Sequence, residues 1–167
     1  MNYQRMILLL AASLFLMGAD NGEQGTDEAK LLEQHKQLNA RIETLKQEQD
    51  YLLFQNTMYA SDSKYLVLNI AARTGQLKYK NRILKDFRFT SAGHASMLKR
   101  GAVTLTNKIE EPKARNLLVF GTSLVLQGKQ VPAAQLQAEI PRLMLSRKDL
   151  MSVFYAVEVG AKAYIVL

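Results

Sequence analysis

The sequence predicts a mainly β domain, preceded by a long N-terminal α-helix of coiled-coil-like pattern and carrying one helix near its C-terminal end. Three observations point there. A stretch rich in Glu, Gln, Lys and Leu, free of Gly and Pro, runs from Thr26 to about Asn56. From Ser61 onward the apolar residues come in short alternating runs separated by turn residues, the period of strands. Late in the chain, Ser146 stands three residues before Asp149, ahead of Leu150, Val153, Phe154 and Val157, which is a capped amphipathic helix. With 167 residues, 48% hydrophobic and 22% charged, the chain has room for one packed domain and an appendage.

Residues 1–19 read as a signal peptide: Arg5 supplies a basic start, and Met6 to Ala19 form an apolar run of about 14 residues. The run is shorter than the ~20 residues that span a bilayer core. Cleavage after Ala19 is the expectation, with an uncleaved short anchor as the alternative because Met17 fits poorly the small residue preferred before a cleavage site. The protein is therefore expected in the periplasm or another extracytoplasmic space.

Residues 20–60 form the helical stalk. Leu31, Leu38, Leu45 and Leu52 recur every seven residues; taken as d positions, they leave Glu28, His35, Ile42 and Gln49 at a, so the coiled-coil seam is incomplete. Two readings stand: a weak homodimer or spacer, or a helix whose leucine stripe packs on its own domain. His35 lies on that stripe without a second ligand at metal spacing and reads as a polar seam residue.

Residues 61–167 form the β-rich domain. Strands are expected at Tyr65 to Ile70 and Gln76 to Tyr79 around a Thr74-Gly75 turn, and at Arg82 to Phe89, where Lys85 interrupts the face of Ile83, Phe87 and Phe89. Further strands are expected at Val103 to Thr106, Leu117 to Phe120 and Ser123 to Gln127, with breaks at Pro112, Gly121-Thr122 and Gly128-Lys129. Gly160 is expected to stop the late helix before a last strand from Ala161 to Leu167.

Charge divides unequally. Asp20 to Ala60 carries −4 and Ser61 to Leu167 carries +10, which with Arg5 gives the net +7. A basic β domain in that compartment is attracted to peptidoglycan carboxylates or another anionic envelope polymer; nucleic acid is not the expected partner. No cysteine is present, which excludes disulfides, thiol nucleophiles and zinc ribbons, and two histidines do not make a histidine-rich metal site. No Gly-rich phosphate loop or calcium loop occurs, and no cofactor or metal is expected.

Three stretches carry a family resemblance. Tyr65 to Arg73 running into Gln76 to Tyr79 looks like an opening pair of strands. Leu118-Val119-Phe120-Gly121-Thr122 is similar to an apolar strand ending in His-Gly-Thr, and Leu145-Ser146-Arg147-Lys148-Asp149 through Val159-Gly160-Ala161-Lys162-Ala163-Tyr164-Ile165 to a closing Leu-Ser-x-x-Asp, short helix, Val-Gly-Thr and last strand. In this order the segments resemble the L,D-transpeptidase catalytic domain, a β-rich fold of exported proteins that cross-link peptidoglycan through an acyl-enzyme on cysteine.

The departures from that family shape the functional expectation. Its Ser-His-Gly-Cys-x-Arg segment supplies a thiolate nucleophile, a histidine base and a substrate-binding arginine. The equivalent stretch here is Glu139-Ile140-Pro141-Arg142-Leu143-Met144, and Phe120 replaces the histidine of His-Gly-Thr. Without a thiolate and its base, acyl transfer at neutral pH loses its mechanism. The resemblance thus implies a retained fold, with Phe120, Gly121 and Thr122 beside the old cleft and Arg142 as the cation to meet a carboxylate.

Other catalytic centres are weakly indicated. Ser123 lacks a nucleophile-elbow pattern and Ser146 is accounted for as a cap. His94 in Gly93-His94-Ala95-Ser96, with Asp86 the nearest acid, reads as a polar loop, and Glu110-Glu111 point apart beside the Pro112 turn. The expected role is a non-catalytic, L,D-transpeptidase-like protein that binds peptidoglycan or scaffolds envelope proteins. The alternative is an inner-membrane-anchored coiled-coil protein of a pilus or secretion apparatus.

Overall fold

The computed structural model describes residues 24–91, 94–110, 116–128 and 140–167. The expected signal peptide at residues 1–19, the Pro112 turn, Lys129 and all but the last residue of the Ala-rich Val131 to Ile140 segment lie outside the described residues. The chain divides into two compact units, residues 1–46 and 47–167.

Helix α1 spans Gln24–Ala60, slightly longer than expected at both ends. In the first unit it is held by local pairs: Gln37 Nε2 donates to Glu33 at 3.2 Å, and Thr44 Oγ1 to the Ala40 carbonyl at 3.0 Å. The His35 ring meets the Asn39 amide at 3.3 Å. Leu31, Leu38, Leu45 and Leu52 are all more than half exposed. In the second unit the last turns of α1 instead bury Phe54 and Met58 against Tyr65, Val67 and Tyr164. Phe54 lies edge-on to Tyr65 with centroids 5.6 Å apart, and 5.0 Å from Tyr164.

Nine strands follow: β1 Lys64–Asn69, β2 Thr74–Tyr79, β3 Arg82–Ser91, β4 Gly101–Thr104, β5 Asn107–Ile109, β6 Leu117–Phe120, β7 Leu124–Gly128, β8 Arg142–Leu145 and β9 Lys162–Val166. Helix α2, Arg147–Ala156, lies between the last two. The sheet order is β4-β9-β1-β2-β3-β8-β7-β6-β5. Its two end strands are consecutive in the chain, separated only by Leu105 and Thr106. Two extended residues reach only ~7 Å, so the sheet must curl until its edges meet. The Gly160 amide donates to the Leu105 carbonyl, the Leu105 amide to the Ala161 carbonyl and the Thr106 amide to the Val119 carbonyl, each at 2.8 Å, which seals that seam.

Strand alternation then decides burial. One parity of each strand (Leu66 and Leu68, Leu118 and Phe120, Leu124 and Leu126, Leu143 and Leu145, Ala163 and Ile165) faces one core with Leu150, Val153, Phe154 and Val157 of α2. The Ser146 cap holds as expected, its hydroxyl accepting from the Asp149 amide at 3.1 Å and donating to the Asp149 carboxylate at 2.7 Å.

Two local expectations are corrected, and a third gains its physical reason. Thr74-Gly75 is strand, not turn, with Gly75 opposite Leu68 and Phe87. A Cβ on Gly75 would stand 2.3 Å from the Phe87 ring, so this glycine serves ring packing and not chain reversal. Lys85 ends the apolar face of Phe87 and Phe89, with Ile83 half exposed beyond it, and its Nζ meets Asp149 at 2.9 Å and Ser152 Oγ at 3.1 Å, anchoring α2 to β3. Finally, α2 ends at Ala156 with Val157 as its cap, ahead of Gly160, whose φ of +95° serves the following turn.

Candidate functional site

The turn joining β6 to β7 is Gly121-Thr122-Ser123. Gly121 has φ +55°, a left-handed conformation that favours glycine. Thr106 holds this turn in place, since its hydroxyl accepts from the Gly121 amide at 3.0 Å and donates to the Val119 carbonyl at 3.0 Å. The Ser123 amide closes the turn on the Phe120 carbonyl at 3.0 Å. Parallel pairing of β7 with β8 brings the start of β8 alongside, and the Val125 amide donates to the Pro141 carbonyl at 2.9 Å.

A cavity of about 380 Å3 opens here, lined by Thr122, Ser123 and Pro141 on one side and by Met97 and Lys99 through Val103 on the other. Among the described residues its charged lining is Lys99 and Arg100, without a carboxylate or histidine. Arg100 also donates to the Leu167 backbone oxygen at 3.4 Å, which ties it to the end of β9. Two cations, two hydroxyls and a proline turn make a site suited to an anion, with hydrogen-bond donors on both sides. Ser123 has no base among these residues, so the cavity lacks the parts of a serine nucleophile.

The residues expected from sequence separate in space. Thr122 lines the cavity and Gly121 shapes it. Phe120 is 1% exposed and belongs to the core. Arg142 is 7% exposed; the parity of β8 sends Leu143 and Leu145 into the core and pairs Arg142 with Val125 on the opposite face. Lys99 and Arg100 went unnoticed in the sequence, because nothing local distinguishes one basic pair among 22 Lys and Arg. Their one local signal is position, directly before the strand that closes the sheet.

Of the remaining candidates, His94 is an exposed loop residue with φ +51°, and Glu110 accepts a hydrogen bond from the Tyr155 hydroxyl at 3.1 Å. That carboxylate, through the hydrogen bond and its charge, raises the Tyr155 phenol above its ordinary pKa. Asp149 is pushed up by burial, but the Ser146 hydroxyl and the Lys85 ammonium outweigh this and hold it below the usual carboxylate range.

No family model and no curated protein matches the sequence. Among solved structures, the chain is similar to a fused Zn-dependent amidase/peptidase/peptidoglycan-binding domain-containing protein from Clostridium acetobutylicum, with 8% identity over 68% of this chain and 58% of that one, at a TM-score of 0.48. It is similar to an L,D-transpeptidase from Mycobacterium smegmatis, with 12% identity over 63% of this chain and 59% of that one, at a TM-score of 0.48. For L,D-transpeptidase 1 of Mycobacterium tuberculosis the figures are 15%, 64% and 63%, at a TM-score of 0.47. The chain spans about three-fifths of the length of each of these structures.

Proposed function

We propose that this chain is an exported, non-catalytic protein of the cell envelope whose basic β domain binds carboxylates of peptidoglycan. The observation that carries the reading is the cavity beside the Gly121-Thr122-Ser123 turn, whose charged lining among the described residues is Lys99 and Arg100. Domain charge supports it, since the +10 of residues 61–167 concentrates polyanions near the surface. The lack of any cysteine supports the absence of acyl transfer by the route of the resembled family. In this reading Lys99 and Arg100 supply the cations, Thr122 a hydroxyl, and Gly121 the turn that presents them; Arg142 serves the fold of β8.

The test is co-sedimentation of the chain with peptidoglycan sacculi across a salt series. Retention that survives roughly 0.3 M salt, where the Debye length falls to about 6 Å, and is lost in Lys99→Ala supports a shaped site. Retention only at low salt, or turnover of purified muropeptides, overturns the reading. A second reading, helix-mediated assembly with envelope partners or as a weak homodimer, is favoured by the exposed stripe of Leu31, Leu38, Leu45 and Leu52. Sedimentation equilibrium checks it: a mass that stays monomeric to millimolar concentration removes the homodimer.

A further inference from the structure

A second recess lies on the opposite face of the sheet from the main core. Register places Tyr164 and Val166 of β9 beside Val67 and Asn69 of β1, and these beside Gln76 and Thr74 of β2, so the six share one face. The last turns of α1 cover its Tyr65 end through Phe54 and Met58. Beyond them Gln47, Glu48 and Tyr51 stand as a wall, Arg100 closes the end, and a groove of about 410 Å3 remains.

We propose that this groove binds a saccharide. Its floor mixes Val67 and Val166, diagonal to one another, with Asn69, Thr74 and Gln76, whose hydrogen-bonding capacity is in part uncommitted among the described residues. Asn69 uses its Oδ1 on the Ala72 amide at 2.8 Å and keeps its Nδ2. Gln76 uses its Nε2 on Asp86 at 2.9 Å and keeps its Oε1. The Thr74 hydroxyl engages no partner among the described residues. A half-buried tyrosine, Tyr51, adds an aromatic surface, its ring centroid 5.0 Å from that of Tyr164. A donor, an acceptor and a hydroxyl beside an aromatic ring match a ligand of hydroxyl groups and C–H faces.

Other occupants fit less well. An apolar helix would leave the amides buried without partners, at a cost of about 1–3 kcal/mol per group. An extended peptide cannot add as a strand, because β9, β1 and β2 each have a neighbour on both sides. A simple anion is not selected, since the lining carries one cation, Arg100, and one carboxylate, Glu48. The groove thus differs in chemistry from the basic cavity, although Arg100 borders both.

The test titrates the full chain with chitotetraose and with cellotetraose, following tyrosine fluorescence, which is unobscured because the chain has 7 Tyr and no Trp. Saturable binding of either sugar, weakened about tenfold in Thr74→Val and in Gln76→Met, the loss of roughly one hydrogen bond, is the expected result. A preference for chitotetraose assigns the amides to an acetamido group; equal binding assigns them to ring hydroxyls. Circular dichroism confirms that each variant is folded. No saturation by either sugar at millimolar concentration overturns the proposal, as does binding that both variants leave unchanged. Lys99→Ala separates the two sites: it abolishes salt-resistant sacculus retention and leaves sugar binding intact, so either proposal fails without the other.

Discussion

One helix treats its two apolar stripes in opposite ways. Along α1 the leucines at seven-residue spacing stay open to solvent, with Leu52 at 58% exposure, whereas two residues later Phe54 is at 7%. At 3.6 residues per turn, half-buried Tyr51 and buried Phe54 and Met58 lie roughly 130° round the helix from Leu52. The visible periodicity is therefore not the one the domain uses. What the sheet selects is shape: aromatic rings and a methionine fill the space between Tyr65, Val67 and Tyr164, where contact area per residue is largest. The leucine stripe, equally apolar, is more than half exposed along its length.

The sharpest way to break this comparison is Phe54→Ala, which removes the anchor and is expected to cost about 3–5 kcal/mol in urea denaturation. A smaller loss would mean that Met58 and Tyr51 hold the helix without it. Next in size is Gly75→Ala, where the new methyl meets the Phe87 ring; about 1–3 kcal/mol is expected. The double variant with Phe87→Leu should lose less than the sum of the two singles, because a narrower side chain makes room.

A third change contrasts the two helices. Helix α2 is tied by the Lys85–Asp149 pair at 2.9 Å, and α1 by rings that do not titrate near neutrality. The Asp149 carboxyl is held below its unfolded value of about 3.9, so its contribution is present in full above that pH and lost as pH falls through the folded value. Thermal melts from pH 6 to pH 2 should therefore fall less steeply for Asp149→Asn, which costs about 1 kcal/mol at neutral pH. Parallel slopes for the two proteins would remove the linkage. The smallest effect belongs to Leu45→Ala on the open stripe, within about 0.5 kcal/mol for the monomer. If the helix self-associates, the same substitution lowers the association constant in sedimentation equilibrium, and that sharpens the contrast.

Much of the architecture was legible from local pattern. The α1 helix, the hairpin strands from Tyr65, the β6 strand at Leu117 to Phe120 and the Ser146 cap all rest on interactions within a few residues. Thr74-Gly75 misled because Gly serves both turns and close approach, and only the position of Phe87 tells which. Why Lys85 breaks its face was hidden because its partner, Asp149, lies far along the chain. The candidate site was less legible still: Thr122 was in view, but Lys99 and Arg100 reach it only through curling of the sheet.

Composition and periodicity suffice for the long helix, the alternating strands, the excess positive charge of the β domain and the lack of a thiol nucleophile, since each is a property of neighbouring residues or of a count. Tertiary structure decided the rest. It set which helical stripe is buried, sent Phe120 into the core and Arg142 to the far face of β8, and put Arg100 between an anion cavity and a polar groove. Those outcomes depend on strand parity and on closure of a nine-stranded sheet through Leu105 and Thr106, contacts between residues distant in sequence that no local pattern encodes.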